Sequence, residues 1–263
     1  MTLPLFGLPD DPGPSFVELL RRHGLNPAEP SAGAGSPLEV RHGTTIVALR
    51  YADGVIMAGD RRATEGHSIA HRHMDKVFPA DRLSGVAIAG AAGPAMEMVR
   101  LFQTQLEHYE KVEGGVLSLE GKANQLAQMV RGNLGMAMQG LVVVPLFAGW
   151  DERREMGRIF TYDVTGGRYE EADHHATGSG GRDARTTVKL GWREGLPRDE
   201  AVGLAITSLW EAADEDSATG GPDVVRGIYP SLATITAGGF ERLDDQEVAA
   251  GFASLIERRV LRP

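Results

Sequence analysis

Cysteine is absent from this chain of 263 residues, which excludes thiol catalysis, disulfide staples and thiolate metal sites, and fits a reducing compartment such as the cytoplasm. No apolar run approaches the roughly 18 residues of a membrane span, and no membrane partner is expected. A block of Lys and Arg is also missing. With a net charge of -9, the expectation is a solvated acidic surface and no nucleic-acid partner. The serine-hydrolase elbow Gly-x-Ser-x-Gly does not occur around Ser68 or Ser179. The run Gly178-Ser179-Gly180-Gly181 lacks the Gly-Lys-Ser/Thr ending of a phosphate loop. His67, His71 and His73 lie close together and could suggest a metal site, but no metal and no cofactor are expected.

What is present divides at Gly43. Residues 1–43 carry three Lys/Arg against five Asp/Glu and lack the basic start and apolar stretch of a signal peptide. Phe16, Leu19, Leu20 and Leu25 can form one side of a short helix, followed by a Pro/Ala/Gly/Ser-rich linker from Asn26 to Pro37. Then Gly43-Thr44-Thr45-Ile46-Val47-Ala48 opens a hydrophobic strand. Cutting the Gly43–Thr44 bond would give Thr44 both a hydroxyl nucleophile and a free α-amine as its base. The expected organisation is a propeptide over 1–43, removed by autocatalysis, and a mature domain over 44–263. Gly43, lacking a side chain, suits the tight turn needed for attack on its own carbonyl.

Beyond Thr44, strands are expected over 44–51 and 54–59, joined at Ala52-Asp53-Gly54, and over 83–90. Helices are expected over 94–112 and 119–139, strands over 141–149, 158–163 and 168–172, and helices over 182–192 and 197–214. A strand over 224–236 and a helix over 245–259 complete the chain. His174-His175 reads as an exposed turn. Clustered strands separated by helix pairs do not alternate as a parallel sheet requires, so two antiparallel sheets with helices outside are expected. Asp60 ends the second strand and Lys76 stands where an apolar strand resumes. A buried lysine beside the hydroxyl would stabilise developing alkoxide, and an aspartate would hold that lysine.

These motifs together resemble the proteasome β subunits, specifically the actinobacterial 20S type. The resemblance rests on the Gly43–Ala48 run, Ala58-Gly59-Asp60-Arg61-Arg62, Lys76-Val77, Ile88-Ala89-Gly90, Gly178-Ser179-Gly180 and the run from Asp216 to Asp223, and covers nearly all of 44 to about 260. Asp60 and Lys76 follow Thr44 by sixteen and thirty-two residues, as in the family.

The resemblance implies an α+β fold: a four-layer αββα sandwich of two antiparallel sheets flanked by helices, the N-terminal nucleophile hydrolase fold. It implies a threonine endopeptidase in which Thr44 is the nucleophile, Lys76 lowers its hydroxyl pKa and Asp60 holds Lys76. Gly90 N–H would bind the oxyanion, and Ser179, Asp216 and Thr219 would brace the amine. Thr219 stands where the wider superfamily usually has serine. The family's first substrate pocket maps to Ala63, Met74, Phe78, Ile88, Ala92 and Met96, which implies cleavage after hydrophobic residues.

Implied partners are other β subunits in a seven-membered ring, proteasome α subunits in an α7β7β7α7 stack, and an AAA ATPase acting through the α ring. Protein substrates tagged with the prokaryotic ubiquitin-like modifier are implied likewise. Two alternatives share the fold: a non-catalytic scaffold subunit, and an N-terminal nucleophile amidase acting on a small molecule.

Overall fold

The computed structural model describes residues 43–65 and 68–260; the expected helix around Phe16–Leu25, its linker and His67 lie outside them. Short, β-branched and apolar segments joined by tight turns build twelve strands in the described chain. They are β1 (Thr45–Tyr51), β2 (Gly54–Gly59), β3 (Ala63–Glu65), β4 (Ser68–His71), β5 (Val77–Asp81), β6 (Ser84–Gly90), β7 (Val143–Asp151), β8 (Met156–Tyr162), β9 (Arg168–Glu171), β10 (His174–Gly178), β11 (Ser231–Thr236) and β12 (Gly239–Arg242). Five longer helices accompany them: α1 (Ala92–Glu113), α2 (Leu119–Gly132), α3 (Gly181–Gly191), α4 (Arg198–Glu215) and α5 (Asp245–Val260).

One sheet runs β10-β1-β2-β11-β12, a second runs β5-β6-β7-β8-β9, and β3 and β4 form a separate hairpin. Every pairing is antiparallel. The period-2 alternation of strand side chains divides the interior into layers. On β1 and β2, Ile46, Ala48, Val55 and Met57 point between the sheets to meet Val77, Ala87, Leu146 and Ile159. Their neighbours Val47, Leu49, Ile56 and Ala58 point the other way, onto Ala184, Val188, Ala205, Leu209 and Phe252 of α3, α4 and α5. Val86, Ile88, Phe147 and Phe160 of the second sheet pack in turn on Val99, Phe102 and Leu126 of α1 and α2. Each strand in the middle of a sheet is covered on both faces. The result is the four-layer αββα sandwich of the N-terminal nucleophile hydrolase fold.

Local chemistry accounts for the helix ends. Pro94 sits in the first turn of α1, where its missing N–H has no intrahelical partner to lose, and Gly114 ends the helix in the left-handed region at φ 67°. The Ser118 hydroxyl accepts the Gly121 N–H at 3.1 Å to cap α2. The expected continuation of α2 to Gln139 breaks at Gly132-Asn133, two poor helix formers, and resumes only as one turn of α-helix over Leu134–Ala137. The expected strand over 224–236 is shorter. Residues 224–230 form a loop in which Gly227 adopts φ 65° and Val225 is 95% exposed, and pairing begins at Ser231, after Pro230. His174-His175 is not an exposed turn: it opens β10, half-buried and paired with Leu49 and Ala48.

Candidate active site

The site gathers where β1, β2 and β10 end together. Thr45 pairs with Gly178 and Ile46 with Gly59, so the start of β1, the end of β2 and the loop after β10 meet at one edge. Thr44 is buried there, just before β1. Its hydroxyl donates to the Gly43 carbonyl oxygen at 2.7 Å, which puts Oγ1 beside the bond that joins the two residues. Gly43 N–H donates to Thr64 Oγ1 at 3.0 Å, and a Cβ on Gly43 would collide with Ala218. The turn therefore admits only glycine without rearrangement.

Asp60 and Lys76 lie beneath this turn, at 0% and 1% exposure. Lys76 Nζ donates to Asp60 Oδ1 and to the Arg62 carbonyl, both at 2.6 Å. Burial pulls the Lys76 pKa below the ordinary lysine value, against the opposing charge and hydrogen bond of Asp60. A lysine so placed exchanges its proton more readily than a solvated one.

The loop after β10 wraps Thr44 from the other side. Ser179 N–H donates to the Thr44 carbonyl at 2.8 Å, and Thr44 N–H donates to Ser179 Oγ at 3.2 Å. This embrace needs Gly178 at φ 102°, since a Cβ there would strike the Thr44 carbonyl. Asp216 ends α4. Burial pushes its carboxyl pKa up, but hydrogen bonds from the Ser179 and Thr219 hydroxyls and the N–H groups of Ala218 and Thr219 outweigh this and hold it below the usual carboxylate range. Thr219 Oγ1 reaches Asp216 Oδ2 at 2.6 Å.

A narrow cleft runs over the turn, lined by Gly43, Thr44, Lys76 and Gly90 together with Ala63, Met74, Ile88 and Ala92. Thr44, Asp60, Lys76, Ser179, Asp216 and Thr219 thus fall in one connected cluster, with Gly90 on the cleft wall at φ 108°. Four of the six residues expected in the substrate pocket line this cleft. Phe78 and Met96 do not join them; Phe78 on β5 and Met96 on α1 are partly buried against the core between α1 and the second sheet. Thr64, Ala89 and Ala95 also line it and were not expected in the pocket, because a threonine in a short strand and alanines in apolar runs carry no chemical signature. His71 and His73 are exposed, and no His/Cys/Asp/Glu group able to hold a metal occurs among the described residues. No described helix is long and apolar enough to cross a membrane.

A four-layer sandwich with a threonine at the head of its first strand, over a buried Asp–Lys pair, has the architecture of the N-terminal nucleophile hydrolases. The proteasome subunit family matches residues 40–226. The proteasome subunit beta of Acidimicrobium ferrooxidans is 62% identical over 266 aligned positions, which cover 100% of this chain and 97% of that protein. The proteasome subunit beta of Streptomyces griseus subsp. griseus is 59% identical over 226 positions, covering 86% of this chain and 80% of that protein. The chain belongs to the proteasome subunit family, and within it to the actinobacterial β type.

Proposed function

We propose that the chain is a catalytic β subunit: a threonine endopeptidase that cuts its own Gly43–Thr44 bond and then hydrolyses peptide bonds with the freed Thr44. The observation that carries this reading is the placement of Thr44 Oγ1 at 2.7 Å from the Gly43 carbonyl oxygen, over the buried Lys76–Asp60 pair. In the intact chain Thr44 nitrogen is an amide and cannot act as a base. Lys76, its pKa lowered by burial, takes the hydroxyl proton as Oγ attacks the Gly43 carbonyl carbon. The C–N bond breaks as the nitrogen takes that proton from Lys76 and leaves as an amine, and an ester remains on Oγ until water hydrolyses it. In later cycles the α-amine, with an unperturbed pKa of roughly 7.7 to 8, serves as the base at neutral pH. Gly90 N–H serves as the oxyanion donor, and Ser179, Asp216 and Thr219 orient the amine.

The apolar cleft wall of Ala63, Met74, Ile88 and Ala92 favours a hydrophobic residue before the cleaved bond. The assembly is a pair of seven-membered β rings between α rings, with an AAA ATPase delivering unfolded proteins tagged by the prokaryotic ubiquitin-like modifier. Residues 1–43 are the propeptide, and the compartment is the cytoplasm.

The test is the intact mass of the chain after co-expression with an α-type subunit, for wild type and Thr44→Ala, with hydrolysis of a fluorogenic peptide amide that has a hydrophobic residue before the leaving group. A mass beginning at Thr44 and peptide hydrolysis are expected in wild type alone. Full-length chain in both preparations, without hydrolysis, would replace this reading with that of a scaffold subunit.

A further inference from the structure

Thr45 follows the proposed nucleophile and is fully buried, yet every polar group it owns is engaged at the site. Its N–H donates to Asp60 Oδ1 at 2.8 Å, the oxygen that also receives Lys76 Nζ. Its carbonyl accepts the Asp60 N–H at 3.1 Å. Its hydroxyl accepts the Gly180 N–H at 2.9 Å and lies 2.6 Å from Thr219 Oγ1.

Counting protons orders the second of these contacts. Thr219 has one hydroxyl proton, and the Asp216 carboxylate at 2.6 Å can only accept. Thr219 therefore donates to Asp216 and accepts from Thr45. The chain runs in one direction, from Gly180 N–H to Thr45, from Thr45 O–H to Thr219, and from Thr219 O–H to Asp216, whose carboxylate also receives Ser179. Through its backbone Thr45 holds the Lys76–Asp60 arm, and through its hydroxyl it holds the Asp216–Ser179 arm. We infer that the Thr45 hydroxyl is a positioning group that sets the Asp216–Ser179 arm against the Thr44 nitrogen. The inference rests on the catalytic reading above.

Valine is the nearest shape without the hydroxyl. Thr45→Val leaves the Gly180 N–H without its acceptor and Thr219 without its donor, in a site closed to water. Thr45→Ser keeps both bonds.

The experiment uses particles co-expressed with an α-type subunit and a fluorogenic peptide amide with a hydrophobic residue before the leaving group. Thr45→Val is expected to lower kcat roughly 10- to 100-fold, the scale of leaving buried hydrogen-bonding partners unpaired, with KM unchanged. Thr45→Ser is expected to stay within about threefold of wild type, as the retained hydrogen bonds require. Wild-type kcat in Thr45→Val, or a loss that serine does not restore, overturns the assignment. If the valine variant does not assemble, Thr45→Ala, which adds no bulk against Gly180 or Thr219, takes its place with the same expected loss. Failure of both to assemble overturns the positioning role in favour of a structural one. Absence of hydrolysis by wild-type particles would instead overturn the catalytic reading itself.

Discussion

Asp60 receives four donors: Thr45 N–H and Lys76 Nζ on Oδ1, and Arg62 N–H and Gly220 N–H, each at 2.9 Å, on Oδ2. A carboxylate has lone pairs for all four and no proton to obstruct them. An asparagine has only one oxygen, so its NH2 would face two of these donors whichever way it turned. Asp60→Asn is therefore expected to cost about 3 to 5 kcal/mol, the range for removing one partner of a buried ion pair, read by equilibrium urea unfolding. Lys76→Met removes the other partner but leaves Asp60 with three N–H donors, so its cost is expected to be smaller, about 1 to 3 kcal/mol. Both variants are expected to remain uncut at Gly43 when their intact mass is measured, and self-cleavage by Lys76→Met would remove Lys76 from the proposed proton path. Asp60 and Lys76 were visible in the sequence only through their spacing from Thr44 within a set of family motifs; alone, each looks like an ordinary strand-end residue. Thr45 was invisible because a threonine in an apolar strand needs no explanation beyond its β-branched shape.

At the scale of elements, β10 ties chemistry to stability. It is an edge strand whose last residue, Gly178, leads directly into the Ser179 contact with Thr44, and it begins with two half-buried histidines. His174 packs beside Trp192, with ring centroids 6.1 Å apart, and its Nδ1 has no hydrogen-bond partner among the described residues. His175 Nδ1 lies 3.1 Å from Glu171 Oε1. Burial holds both pKa values below the ordinary histidine value, with Arg185 adding to the effect and Glu171 opposing it; Asp173 also opposes it at His174. The folded state then binds fewer protons than the unfolded state once pH falls below about 6.5. Their stability contribution is complete above that pH and declines as pH drops toward the lowered folded values. The expected outcome is a melting temperature that falls as pH drops below about 6.5, with a flatter slope in the His174→Gln/His175→Gln double variant. An unchanged slope would mean that other groups carry the acid sensitivity. Strand β10 was not legible because His-His followed by Ala-Thr-Gly lacks the apolar alternation of a strand, and only pairing with β1 makes it one. Residues 224–230 failed in the opposite sense: Val224 and Val225 suggest a strand, but the left-handed backbone at Gly227 turns the chain out to solvent.

For the molecule as a whole, two antiparallel sheets with helices outside were readable, because clustered strands separated by helix pairs do not alternate as a parallel sheet requires; the αββα layer order was implied by the family resemblance. What periodicity cannot reveal is which outer face stays uncovered in the isolated chain. Between α1 and α2 runs a groove lined by Leu106, Tyr109, Val112, Leu117 and Gln125, and Val112 is 64% exposed on its rim. Such a surface suits the subunit contacts of the proposed rings. Val112 lies in the last turn of α1, where a lysine completes the helix dipole favourably. Val112→Lys should therefore change the unfolding free energy of the isolated chain by no more than about 0.5 kcal/mol. In the presence of an α-type subunit, the same substitution is expected to shift material from assembled particles to half-assembled or free subunits, read by sedimentation velocity. A charge buried against an apolar partner carries a desolvation cost that a charge in water does not, so the contrast between the two measurements separates an interface from ordinary surface. Equal assembly of wild type and Val112→Lys would place the α1–α2 groove outside the subunit contacts and leave the chain's other exposed apolar side chains, such as Val225 and Leu190, to make them.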